Sequence, residues 1–102
     1  MPEFVPVMKV SELVERTMAT VDAKEFHLLI SRIGGEVYAV SGTCTHEDAD
    51  LGLGMMVEER VVCPLHLSQF DLRDGSVLGP PATAPLKRFN VKIEDETIFV
   101  EV

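Results

Sequence analysis

An all-β fold is what this sequence predicts, and three observations predict it. Near the C-terminus, "RFNVKI" alternates Phe89, Val91 and Ile93 with Arg88, Asn90 and Lys92, the period of two that gives a strand one buried face. Apolar, β-branched runs recur along the chain and are separated by turn-forming Gly and Asp pairs. No segment holds a helical spacing of apolar residues over three turns.

The elements follow in chain order. "VSELVER" (Val10 to Arg16) predicts at most a short helical turn, with Ser11 as its cap and Glu12 near its start. "EFHLLISRI" (Glu25 to Ile33) is a strand, "GGE" turns the chain, and "VYAV" (Val37 to Val40) returns as the second arm of a hairpin. "MMVEERVVC" predicts a smaller hairpin turning at Glu58 and Glu59, whose second arm delivers Cys63 to a tip, and "FDLRDGSVL" predicts another with Asp74-Gly75 as its turn. After Ile93 the polar "EDET" reverses the chain, and Ile98, Val100 and Val102 continue the inward side. Between about residues 42 and 81, glycines and prolines from Gly42 to Pro81 break the chain into short strands and loops. The expected organisation is a single domain, residues 1–102, in which a β base carries an inserted, loop-tipped subdomain at about 42–81.

Composition sets limits on function. A chain of 102 residues, 46% hydrophobic and 25% charged, has the makeup of one folded core. Nine basic against 17 acidic residues leave a net charge of -8. Nucleic-acid binding draws on clustered Lys and Arg, so it is excluded as the main activity. The acidic residues are spread out, which suits either a solvated surface or a negative face that steers a basic partner. The longest apolar runs, such as Leu28 to Ile30, are too short to cross a bilayer, and the N-terminus lacks a charged start followed by an apolar block. The expectation is a cytoplasmic, monomeric protein with no membrane association. Two cysteines in that setting argue for a metal or redox role rather than a disulfide scaffold.

Both cysteines and two of the three histidines fall in two short stretches, "CTH" (Cys44, His46) and "CPLH" (Cys63, His66), with residues 47 to 62 between them. In an extended segment Cys44 and His46 point the same way. Cys63 and His66 suit a tight turn in which Pro64 fixes its own φ. Sixteen intervening residues are enough for a hairpin that brings the two loops face to face. Two metal sites use such a set. A structural zinc takes four tetrahedral Cys and His ligands, although such sites more often pair like with like along the chain. A Rieske 2Fe-2S centre has two thiolates on one iron and two imidazoles on the other.

"CTHEDADL" followed by "CPLHLSQFDLRDGSVLGPPA" resembles the cluster-binding loops of Rieske-type ferredoxins, particularly the small electron carriers of bacterial aromatic-ring dioxygenase systems. "GPPA" (Gly79 to Ala82) resembles the family's proline loop over the cluster, and "LKRFNVKIEDETIFVEV" its closing hairpin. The resemblance runs from about residue 25 onward, and more loosely through the N-terminal strand. It implies the Rieske fold, an antiparallel β-sandwich base with an inserted cluster-binding subdomain. It also implies one 2Fe-2S cluster as cofactor, with Cys44 and Cys63 on the inner iron and His46 and His66 on the outer iron near the surface.

Two ferric ions, two sulfides and two thiolates sum to zero, so an oxidised centre of this kind is uncharged. A four-cysteine cluster must add its electron to a dianion, which is why Rieske potentials lie higher, at roughly -150 to +300 mV. Unlike the respiratory-membrane relatives, this chain has no second cysteine pair, and no membrane anchor is read from it. Ser68 stands where those relatives place a serine donor to the cluster sulfurs, while Phe70 replaces a donating tyrosine. With Glu47, Asp48 and Asp50 adding negative charge, a midpoint potential in the lower half of that range is expected, as protein-film voltammetry would measure.

The remaining candidates read as structural. His27 in its apolar strand is expected to be a surface or hydrogen-bonded histidine, and Met55 and Met56 are expected to be packing filler. A Rieske oxygenase also needs a mononuclear iron held by two histidines and a carboxylate. With His46 and His66 committed, only His27 is left, so the chain is not itself expected to be an enzyme. The resemblance implies a one-electron carrier between a flavin-dependent reductase and a terminal oxygenase. Docking is expected at the tip through Leu65, Leu67 and Pro80. The alternatives are the Rieske-like small subunit of a nitrite reductase and a zinc-stabilised β interaction module.

Overall fold

The structure is a computed structural model and describes residues 2–46 and 48–102. The strands among these residues are β1 (Phe4–Lys9), β2 (Thr17–Ala23), β3 (Phe26–Ile33), β4 (Glu36–Ser41), β5 (Met55–Val57), β6 (Arg60–Val62), β7 (Gln69–Asp71), β8 (Val77–Gly79), β9 (Arg88–Phe89), β10 (Val91–Glu94) and β11 (Thr97–Glu101). They form three antiparallel sheets with the orders β1-β11-β10, β2-β3-β4-β9 and β5-β6-β7-β8.

The run Leu28-Leu29-Ile30 explains how the layers stack. Successive strand residues face opposite sides. Leu28 and Ile30 enter a core shared with Val37, Ala39, Phe89, Ile98 and Val100, which joins this sheet to the one containing β11. Leu29, paired across the ladder with Val40, enters a second core with Leu51, Val61, Phe70 and Leu72. The middle sheet is covered on both faces, so its central strand is apolar at consecutive positions. The second core also contains Cys44 and Cys63, and it is what joins the sheet β5-β6-β7-β8 to the base.

The expected hairpins form with the expected turns. Gly34 and Gly35 both take positive φ (62° and 80°), the conformation that a two-residue loop between β3 and β4 requires. Gly75, at φ 82°, closes the β7–β8 connection against the carbonyl of Leu86, which would lie 2.4 Å from any added Cβ. Two expectations need correcting. The helical turn shrinks to a single 3-10 turn at Val10–Glu12, and its cap is Lys9, whose backbone N–H donates to the Glu12 carboxylate at 2.8 Å; Ser11 plays no such part. Ile93 is 46% exposed: it pairs with the buried Ile98, but β10 is an edge strand, and the core reaches it at Val91 and not at Ile93. β2 is a strand that the residue pattern does not announce. Its inward residues Ala19, Val21 and Ala23 do alternate, but two of them are small and carry little hydrophobic signal.

Candidate metal centre

The first loop leaves β4 at Ser41 and is closed at its neck by main-chain contacts. Thr43 bridges Asp50, the Cys44 N–H donates to the Ala49 carbonyl at 2.9 Å, and the Leu51 N–H donates to the Gly42 carbonyl at 2.8 Å. Two alternate positions of this loop diverge in environment: Cys44 is 2% exposed, while His46 lies at the surface. The second loop follows β6. The Cys63 N–H donates to the Ser68 carbonyl at 2.7 Å and the Leu67 N–H to the Cys63 carbonyl at 3.2 Å, with Leu67 held at φ 63° to complete the turn. Cys63 is 1% exposed, and His66 again lies at the surface.

These four side chains meet. The Cys44 and Cys63 thiols are interacting neighbours, and the His46 and His66 ring centroids are 5.3 Å apart at an interplanar angle of 78°. Burial pushes the Cys63 thiol up from its usual range and the adjacent Cys44 thiol adds to this, while backbone N–H groups of Leu65 and His66 aimed at its sulfur act the other way. A buried thiol pair of this kind becomes a thiolate pair when cations bind it, and the two N–H groups are then hydrogen bonds to ligand sulfur.

A third segment ties the two loops together. Ser68, fully buried, accepts the Ala82 N–H at 3.1 Å, and the Thr45 hydroxyl donates to the Ala84 carbonyl at 2.6 Å. The stretch after Gly79 is thus fastened to both Cys-His loops. Ser68 Oγ serves it as acceptor, which leaves the hydroxyl proton available for a sulfur. Phe70, buried in the core that holds both cysteines, has no hydroxyl to offer.

Other expected roles move. His27 is hydrogen-bonded, as expected, with Nδ1 2.6 Å from Asp22 and Nε2 3.0 Å from Asp50. Asp50 is therefore not a bare negative charge beside the site: its carboxylate is engaged by the His27 ring and by the Gly52 N–H at 2.9 Å. Asp48 is exposed, and Glu47 lies outside the described residues. Of the two methionines, only Met56 packs on the core; Met55, one strand position away and on the other face, is 66% exposed. The latter borders an apolar cleft with Leu53, Pro64 and Leu67 against the second loop.

The donor set fits a two-iron cluster. Among the described residues no three His, Cys, Asp or Glu side chains gather round one ion position, whereas a 2Fe-2S centre asks for only two protein ligands per iron and completes each with sulfide. Comparison with known proteins agrees. The family model for the Rieske [2Fe-2S] domain matches residues 3–90, and the chain belongs to that family. The ferredoxin component of biphenyl 2,3-dioxygenase from Rhodococcus jostii is 36% identical over 75 residues, covering 74% of this chain and 70% of the relative. The ferredoxin of carbazole 1,9a-dioxygenase from Nocardioides aromaticivorans superposes with a TM-score of 0.90 at 29% identity, covering 95% of each chain. A chain of the complex of reduced oxygenase and oxidised ferredoxin in carbazole 1,9a-dioxygenase gives 0.90 at 28%, covering 96% of this chain and 92% of its own.

The cofactor is thus a Rieske-type 2Fe-2S cluster, and the chain is an electron-transfer component rather than a catalyst. These relatives are dioxygenase ferredoxins rather than nitrite reductase subunits, and the cofactor removes the zinc module. No helix among the described residues is long and apolar enough to cross a membrane.

Proposed function

We propose that Cys44 and Cys63 hold the inner iron of the cluster and His46 and His66 the outer iron, and that the chain carries single electrons from a flavin-dependent reductase to a terminal aromatic-ring oxygenase in the cytoplasm. The observation that carries this reading is the split in exposure: two cysteines at 2% and 1%, and two histidines at the surface with their rings in contact. An electron leaves most readily from the iron nearest a partner, and the imidazoles are the part of the site that a partner can reach. The domain reading stands with it: one Rieske domain over 1–102, monomeric, with residues of about 42–81 as the cluster-binding part.

The docking face follows from what surrounds those imidazoles. Leu65 and Leu67 are 58% and 65% exposed, Pro80 is exposed, and the cleft edged by Leu53 and Met55 adjoins them. No Lys or Arg occurs between Arg32 and Arg60, between Arg60 and Arg73, or between Arg73 and Lys87, so the loops that form the tip carry no positive charge. A partner with an apolar recess and a basic rim fits this face, the apolar part setting affinity and the charges setting the on-rate.

Holoprotein should contain two irons and two sulfides per chain and show an anisotropic EPR signal after reduction. The Leu65→Glu variant should keep that signal while electron delivery to the oxygenase slows by about 10-fold, the loss expected when a charge enters the centre of an apolar contact. A colourless zinc protein would end the reading, and unchanged transfer by the variant would move the docking face elsewhere.

A further inference from the structure

His27 lies outside the ligand set, yet its ring touches both ends of the first ligand loop. At the start of that loop, the Gly42 N–H donates to the His27 carbonyl at 2.8 Å, and a Cβ on Gly42 would come within 2.8 Å of the ring carbon Cδ2. At its end, Asp50 Oδ1 takes His27 Nε2 at 3.0 Å and the Gly52 N–H at 2.9 Å. The opposite ring nitrogen is anchored in the base, 2.6 Å from Asp22 on β2.

We infer that His27 is a positioning residue: as an imidazolium bridging Asp22 and Asp50, it rivets the neck of the Gly42–Asp50 loop to the β base and so holds the first pair of cluster ligands in place. This rests on the ligand assignment proposed above. Ionised carboxylates only accept hydrogen bonds, and a neutral imidazole has one N–H and one bare lone pair. Both contacts are therefore hydrogen bonds at once only when the ring carries two protons. Neutralising it would set a lone pair against a carboxylate oxygen at one of the two contacts, and the Asp50 end is the one joined to the loop. Among the described residues, Asp22 and Asp50 are the charged groups that interact with the ring.

The direction of proton binding agrees with the geometry. The hydrogen bond donated to Asp22, then that donated to Asp50, raises His27 above its ordinary value, and accepting from His27 lowers Asp50. A raised histidine contributes stability that is full below its ordinary pKa of about 6.5 and is lost as pH rises through the folded value. A lowered aspartate contributes stability that is lost only as pH falls through its depressed value. The rivet is thus closed between those two limits and opens on the alkaline side by loss of the imidazolium proton.

The test follows cluster loss from oxidised holoprotein by visible absorbance from about pH 6 to about pH 9, with the His27 ring titrated by NMR and amide exchange read along the loop. Wild-type loss should accelerate about 10-fold across the His27 titration, the scale on which groups supporting metal ligands act. H27Q should lose its cluster at the faster rate throughout, without the step, and exchange in the Gly42–Asp50 backbone should rise in parallel. D50N, which keeps an oxygen for the Gly52 N–H, should also lack the step. A wild-type profile that is flat across the titration, or equal rates for wild type and H27Q at about pH 6, would overturn the inference. Absence of a Rieske spectrum in the wild type would instead overturn the ligand assignment itself. Should H27Q fail to fold, the wild-type profile and D50N still decide.

Discussion

Replacing His66 by alanine is expected to abolish the Rieske EPR signal and visible spectrum while leaving the β fold in place. His66 is at the surface and belongs to neither buried core, so removing its ring exposes little apolar area and opens no internal cavity. On the ligand assignment proposed above, its loss would leave the outer iron with one protein ligand, His46. Binding free energy of a metal centre adds to folding free energy. The stability of the holoprotein should therefore fall to that of the apoprotein, and the apoprotein's own melting temperature should move by no more than about 4 °C, as for a surface change. Far-UV circular dichroism, iron content and EPR check the three parts separately. A preserved Rieske signal would show that His66 is not a ligand.

Phe70→Ala should do the opposite, damaging the fold first and the cluster as a consequence. Phe70 is fully buried at the middle of β7, with Val61 and Val77 as its ladder partners, and it belongs to the core that holds Cys44 and Cys63. Truncating a buried phenylalanine costs about 3–5 kcal/mol through lost transfer energy and the cavity left behind. Total stability for a domain of this kind is only about 5–15 kcal/mol. At roughly 4–8 °C per kcal/mol, the melting temperature of the apoprotein should drop by at least about 12 °C. Thermal melts of both variants before and after cluster reconstitution distinguish the two: His66→Ala keeps the wild-type apoprotein melt and gains nothing on reconstitution, whereas Phe70→Ala already lowers the apoprotein. An apoprotein that melts normally with Phe70→Ala would mean that the second core does not hold the β5-β6-β7-β8 sheet to the base.

Much of this architecture is legible along the chain because strand structure writes a period of two and turns need particular residues. The hairpins at Gly34-Gly35 and Asp74-Gly75, and the strand alternation at Phe89 and Val91, are of that kind. The matched pairs Cys44/His46 and Cys63/His66 were conspicuous for the same reason, since rare residue types at short, repeated spacing stand out against an apolar background. Where residue pattern and structure differ, the local pattern lacks the deciding fact. Ile93 continues the alternation, but whether a core lies beneath an edge strand depends on the width of the sheet. Met55 and Met56 are equally apolar, and only the pleat of β5 sends one inward and the other to solvent.

The sequence by itself determined the β class, the principal hairpin turns, the acidic tip without lysine or arginine, and the four candidate ligands, because each depends on residue type and short-range spacing. Only the tertiary structure decided that the middle sheet is buried on both faces, that Cys44 and Cys63 are buried while His46 and His66 lie at the surface, and that Asp50 answers to His27 across 23 positions of chain. The reason is physical. Backbone preferences act over a few residues and leave a periodic trace, whereas burial and hydrogen-bond partnership arise between segments that meet only after the sheets have stacked.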